Sequence, residues 1–157
     1  MKQKESAFKS FLFCWALACL ATPALALQTS APPARVAVRD GWVRWLPANL
    51  PAAGYATIRN GGDKPVRLTG ADSPEYGMAM LHRSMHMQGK DTMEMVGSIT
   101  IPAHGSVALA PGGYHLMLTN PRHPIKPGDS VHVTLHFAEG GTIRATWPVR
   151  PANATGP

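Results

Sequence analysis

The chain has 157 residues, with 15 Lys+Arg against 9 Asp+Glu and a formal net charge of +6. Its basic residues are scattered singly, without the basic runs or aromatic interleaving that track a nucleic-acid strand, so no nucleic-acid partner is expected. Both cysteines, Cys14 and Cys19, lie close to the N-terminus, which leaves the rest of the chain without thiol chemistry.

The first element is a leader. Lys2, Lys4 and Lys9 form a basic region, and Phe11 to Ala21 is an apolar run of eleven residues, too short to span a bilayer. Ala24-Leu25-Ala26 puts small residues where a signal peptidase reads. The expectation is a secretory signal over residues 1–26, cleaved after Ala26. Ala16-Leu17-Ala18 makes a poor lipobox before Cys19. Cleavage would remove both cysteines, three Lys and Glu5, leaving 12 basic and 8 acidic residues and a net charge of +4. The product would be an exported protein with no disulfide, no thiolate and no stable membrane insertion. Any metal it held would rest on His, Met or carboxylate.

Residues 27–35 read as a flexible lead-in, 36–149 as one domain, and 150–157 as a flexible tail. The domain reads as short strands bounded by turns. Val36 to Val38 precedes Asp40-Gly41, and Trp42 to Trp45 follows. Gly54 to Ile58 ends at Asn60-Gly61-Gly62-Asp63. Val66 to Gly70 is the next strand. Met78 to Met87 and Thr92 to Ile101 flank the turn Gln88-Gly89-Lys90-Asp91 and read as a hairpin. Ser106 to Leu109 is short. Pro111-Gly112-Gly113 turns the chain into Tyr114 to Leu118. Val131 to Phe137 alternates, with Val131, Val133, Leu135 and Phe137 on one face and His132 and His136 on the solvent side. Thr142 to Val149 closes the domain. Fifteen Gly and fifteen Pro suit many short strands joined by tight turns. The architecture expected is all-β, a two-sheet antiparallel β-sandwich.

Chemistry enters at Tyr114-His115-Leu116-Met117-Leu118. Residues two apart in a strand share a face, so Tyr114, Leu116 and Leu118 define the buried side. His115 and Met117 then project together, outward or at a rim. In the hairpin, Met78, Met80 and His82 share a face of one strand, and Met93 and Met95 share a face of the other. Thioether sulfur is soft and uncharged and favours Cu(I), while imidazole accepts Cu, Zn and Ni. A mixed His/Met set therefore selects monovalent copper. Met78 and Met80 read as packing rather than as ligands. His104 and His123 sit in turns without a nameable partner.

The spacing is His82, ten residues, Met93, twenty-one residues, His115, one residue, Met117. Together with Tyr55 to Asn60, Leu68 to Pro74, Ile101-Pro102-Ala103 and Pro111 to Leu118, this pattern resembles the periplasmic copper chaperones of the PCuAC type. The resemblance runs from about Val38 to Val149. It implies a cupredoxin-like β-sandwich that binds one Cu(I) through His82, Met93, His115 and Met117. It also implies a copper-accepting partner, with the copper subunit of cytochrome oxidase and a Sco-type protein as family examples. Some members carry a His- and Met-rich tail, whereas the tail here has neither residue. Met85-His86-Met87 is the departure from the pattern. It reads either as an auxiliary copper site or as two packing methionines around a solvated His.

No catalysis is expected. The anticipated mature start, Leu27, cannot supply the N-terminal His brace of copper oxygenases, and the acidic residues form no recognisable acid/base pair. The same ligands would equally serve copper sequestration without delivery.

Overall fold

The computed structural model describes residues 35–157, apart from Asn49 and Gln88. The leader expected over 1–26 and nearly all of the expected lead-in lie outside the described residues. Ten strands follow in order: β1 Val36–Arg44, β2 Ala52–Asn60, β3 Val66–Asp72, β4 Tyr76–Met87, β5 Lys90–Met95, β6 Ile99–Ile101, β7 Ser106–Leu109, β8 Tyr114–Pro121, β9 Ser130–Phe137 and β10 Thr142–Arg150. There is no helix among the described residues, and hence none long and apolar enough to cross a membrane.

The strands form one hydrogen-bonded ladder in the order β5-β4-β8-β7-β2-β1-β10-β9-β3-β6. The ladder folds where β1 meets β10, a junction of only two register pairs, Val43↔Val149 and Arg44↔Arg150. Six strands from β5 to β1 lie on one side of that junction and four from β10 to β6 on the other. Their inner faces share one apolar core that includes Ile58, Leu81, Leu116 and Leu118 from the larger sheet and Leu68, Val133, Leu135 and Trp147 from the smaller. The fold is all-β, as expected, but not wholly antiparallel: β1–β10 and β7–β8 pair in parallel over one or two residues.

Trp147 fixes how closely the sheets meet. Its buried indole lies over β1 and β2, where a Cβ added to Gly41 would stand 2.2 Å from Nε1 and one added to Gly54 would stand 3.0 Å from the ring. Asp40-Gly41 is thus no turn between two strands. It is a bulge inside β1, with the register broken between Arg39 and Trp42 and Asp40 at φ 53°. The bulge bends the strand and brings backbone, not side chain, against the indole.

The second departure concerns the stretch from Thr92 to Ile101. It is two strands in different sheets. β5 is exposed throughout, whereas Ile99 and Ile101 are buried and pair with Leu68 and Val66 of β3. Their burial pulls the chain across the sandwich after Val96, whose N–H donates to the Leu81 carbonyl at 2.9 Å. The hairpin β4–β5 therefore stands at the free edge of the larger sheet, which positions its methionines at the surface.

Gly41→Ala places a methyl group inside the space held by a fixed indole. Overpacking of this kind costs about 1–3 kcal/mol, so the urea midpoint should fall with an unchanged slope. An unchanged midpoint would show that the Trp147 contact does not limit the approach of the sheets.

Candidate metal centre

Three adjacent strands build the site, and their register decides which side chains meet. β4 pairs with β8 through Met80↔Met117, Leu81↔Leu116 and His82↔His115. β4 pairs with β5 through His82↔Met95, Ser84↔Met93 and His86↔Asp91. Alternation along each strand then puts Met80, His82, Met93, Met95, His115 and Met117 on one face, away from the core. Leu81, Leu116 and Leu118 are buried on the other. A slip of one residue would reverse these faces, so the leucines hold the register for the ligands.

The turn before β8 adds a direct tether. Gly112 adopts φ 79°, a left-handed conformation that glycine takes without steric cost. The Gly113 carbonyl then accepts two hydrogen bonds, one from the Ser84 N–H at 3.0 Å and one from His115 Nδ1 at 3.1 Å. A carbonyl can only accept, so Nδ1 carries the proton and Nε2 keeps its lone pair. One oxygen thus ties β4 to the turn and fixes the tautomer of His115.

The two imidazoles lie 5.9 Å apart, centroid to centroid, tilted by 48°. His82 Nδ1 is buried and has no hydrogen-bond partner. Burial, and secondarily the neighbouring His115, holds the His82 pKa below its ordinary value. His82 is thereby kept neutral, the state in which a ring nitrogen can ligate. Behind His115 stands Tyr55, at 6.4 Å between ring centroids, and Tyr55 packs on Trp42 at 4.8 Å. Arg44 donates to the Tyr55 hydroxyl and lies 5.1 Å from its ring centroid. Burial of Tyr55, only partly offset by Arg44, raises its pKa, which keeps the phenol neutral. A cleft of about 290 Å³ opens on this face, and Arg44, Tyr55, Met93, His115 and Met117 are among its walls. A larger cavity of about 640 Å³ lies elsewhere, against Asp72, Arg122, His132 and Arg144, and contains no methionine. Among the described residues, no three His, Cys, Asp or Glu side chains converge as a metal site. An ion held on the β4–β5–β8 face would depend on thioether sulfur.

Several expectations need correction. His115 points to the outer face but is only 6% exposed, because His82 and Tyr55 flank it. Exposure belongs instead to Met93, at 53%. Met85, His86 and Met87 do not converge: Met85 and Met87 lie on the hairpin face opposite to His86, since successive strand residues alternate. His86 pairs with Asp91 across the hairpin at 2.7 Å. His104 does have a partner, Asp63, at 3.0 Å. His132 and His136 do lie on the solvent side of the smaller sheet, as expected, where they pair with Glu75 and Asp72. Sequence reasoning missed the Arg44–Tyr55 pair, which no local spacing signals, and the placement of Met95 opposite His82, which requires the hairpin register.

Comparison with known proteins places this geometry. Residues 36–149 match the LpqE-like family. The chain belongs to that family, which is the PCuAC family. The lipoprotein-named Lxx21020 of Leifsonia xyli subsp. xyli is 33% identical over 116 residues, 73% of this chain and 69% of that protein. Among solved structures, apo-DR1885 from Deinococcus radiodurans is 30% identical with a TM-score of 0.59, the match covering 100% of both chains. Its Cu(I) form is 31% identical with a TM-score of 0.60, covering 83% of this chain and 85% of that one. The apo PCuAC domain of PmoF2, at 24% identity, shares the fold with a TM-score of 0.66, covering 82% of this chain and 98% of that domain. The cupredoxin-like β fold of PCuAC domains is therefore the fold of this chain.

The depressed pKa of His82 carries a pH signature. The unfolded chain takes up its proton near pH 6.5, while the folded chain resists it, so His82 favours folding above that value. This contribution is lost as the pH falls from about 6.5 toward the folded pKa. In an NMR titration of the apoprotein, His82 should titrate below the ordinary histidine value, and His115→Gln should move it part of the way back. A His82 midpoint at the ordinary value would show that the imidazole is not desolvated.

Proposed function

We propose that this PCuAC domain binds one Cu(I) through His82, Met93, His115 and Met117 and passes it to a copper-accepting protein outside the cytoplasm. The carrying observation is the β4–β8 register, which sets His82 opposite His115 with Met117 two residues further along β8. Met93 shares the cleft with His115 and Met117. Two imidazoles and two thioethers form a neutral, soft donor set. Such a set suits Cu(I) and offers little to Ca²⁺ or Mg²⁺, which take oxygen ligands.

The protein's own residues prepare the donors. Gly113 holds the His115 proton on Nδ1, which leaves Nε2 for the ion. Burial keeps His82 neutral, so one of its ring nitrogens carries a lone pair for the ion. Methionine takes up no proton, so only the two His ligands weaken on acidification. Trp42, Tyr55 and His115 form a packed wall on one side. On the other, exposed Met93 leaves an approach for an acceptor's ligands. The structure of DR1885 with Cu(I) supports the choice of ion.

Export is supported by the leader over 1–26 and by the lipoprotein-named relative. The copper subunit of cytochrome oxidase, with a Sco-type protein alongside, is the acceptor that the family resemblance suggests. Nothing in the site calls for a catalytic step, and we read the protein as a carrier.

An anaerobic Cu(I) titration against a chromogenic Cu(I) chelator should find one tight equivalent. The His115→Ala/Met117→Ala double variant should lose it while keeping the β-sheet circular dichroism of the wild type. Equal binding by both proteins would refute the assignment. Loaded protein mixed with the apo copper subunit of an oxidase should give up its ion. Retention of the ion there would favour sequestration.

A further inference from the structure

β4 is the middle strand of the three, so His82 has a cross-strand neighbour on each side. His115 stands opposite it on β8, and Met95 stands opposite it on β5. Directly opposed residues bring their Cβ atoms to within about 5 Å. The two neighbours differ in their access to solvent. His115 is 6% exposed, whereas Met95 is 71% exposed, the highest value among the large hydrophobic side chains described. Packing does not account for a thioether held at that position, since most of its surface faces water.

We propose that Met95 is an auxiliary Cu(I) ligand that works with His82 at the solvent side of the centre while the ion enters or leaves. This inference rests on the Cu(I) site proposed above and adds a fifth side chain to it. The difficulty it resolves is kinetic. An ion bound to a buried imidazole cannot leave in one step without losing several donors at once. Stepwise exchange avoids this: a Cu–S bond to Met95 forms as the Cu–N bond to His115 breaks, with His82 bound throughout. The ion stays Cu(I), so no electron is needed. No proton moves, because His115 keeps its Nδ1 proton on the Gly113 carbonyl. Met93, two residues before Met95 on the same face and 53% exposed, extends the same path outward. The reverse sequence loads the site.

Met87 provides an internal comparison. It lies in the same hairpin and is 57% exposed, but faces the opposite way, across from Lys90. Its thioether is equally available to copper in bulk terms and has no path to His82.

The test is release of Cu(I) from the loaded protein to excess bathocuproine disulfonate, followed anaerobically by stopped flow. Met95→Leu should keep one tight equivalent at wild-type affinity but release it more slowly, by about tenfold. Met87→Leu should release at the wild-type rate. In wild-type protein with ¹³C-methyl methionine, sub-stoichiometric Ag(I) should shift the Met95 resonance and leave Met87 in place. Wild-type release rates in Met95→Leu, or equal slowing in Met87→Leu, would overturn the proposal. Loss of the tight equivalent in Met95→Leu would overturn it too, by making Met95 a resident ligand. Absence of any tight Cu(I) binding by the wild type would instead remove the site on which the proposal rests.

Discussion

The register of β4 against β8 is the constraint on which the rest of the site depends. His82 and His115 come from positions thirty-three residues apart and meet only because Leu81 pairs with Leu116 on the core side. The inner leucines are buried in the apolar core, and turning them outward would lose about 1.5–3 kcal/mol each. The Gly113 carbonyl then links both partners by accepting from Ser84 N–H and His115 Nδ1. Apolar packing selects the register, and one oxygen refines it at the metal-facing end. The same interactions that fold the larger sheet thus align the candidate ligands.

The site is graded rather than simply exposed. At its inner side, Tyr55 stands against His115, backed by Trp42 and Arg44, and desolvation keeps the Tyr55 phenol and the His82 imidazole neutral. At its outer side, β5 is exposed along its whole length. A neutral, soft set of donors suits this gradient, because no carboxylate has to be buried and no charge left unpaired. A fully enclosed site would bind tightly and release slowly. A wholly exposed one would leave a monovalent ion open to water. An edge hairpin beside a packed wall offers both retention and access, the combination a carrier requires.

Much of this was legible in the sequence, because strand alternation is a local signal. Tyr114 to Leu118 and Val131 to Phe137 declare their buried faces directly, and the His and Met spacing singles out the candidate ligands that the β4–β8 register brings to one face. What sequence reading missed depends on tertiary contacts. Asp40-Gly41 has the composition of a turn, yet the demand of Trp147 for a residue without a Cβ makes it a bulge. Thr92 to Ile101 looks continuous, yet the core captures Ile99 and Ile101 for the other sheet. The burial of His115 comes from Tyr55 and His82, neither of which is near it in sequence. Met85-His86-Met87 looks like a cluster in a string of letters, but the pleat turns its outer members away from His86.

The most direct test of the central reading is X-ray absorption at the copper K-edge on the purified protein loaded with one equivalent of Cu(I). Two nitrogen and two sulfur scatterers are expected around the ion, with sulfur reduced and nitrogen retained in Met93→Leu. A shell made of nitrogen and oxygen alone, or of sulfur alone, would contradict it. Either result would mean that His82, Met93, His115 and Met117 do not hold the ion together.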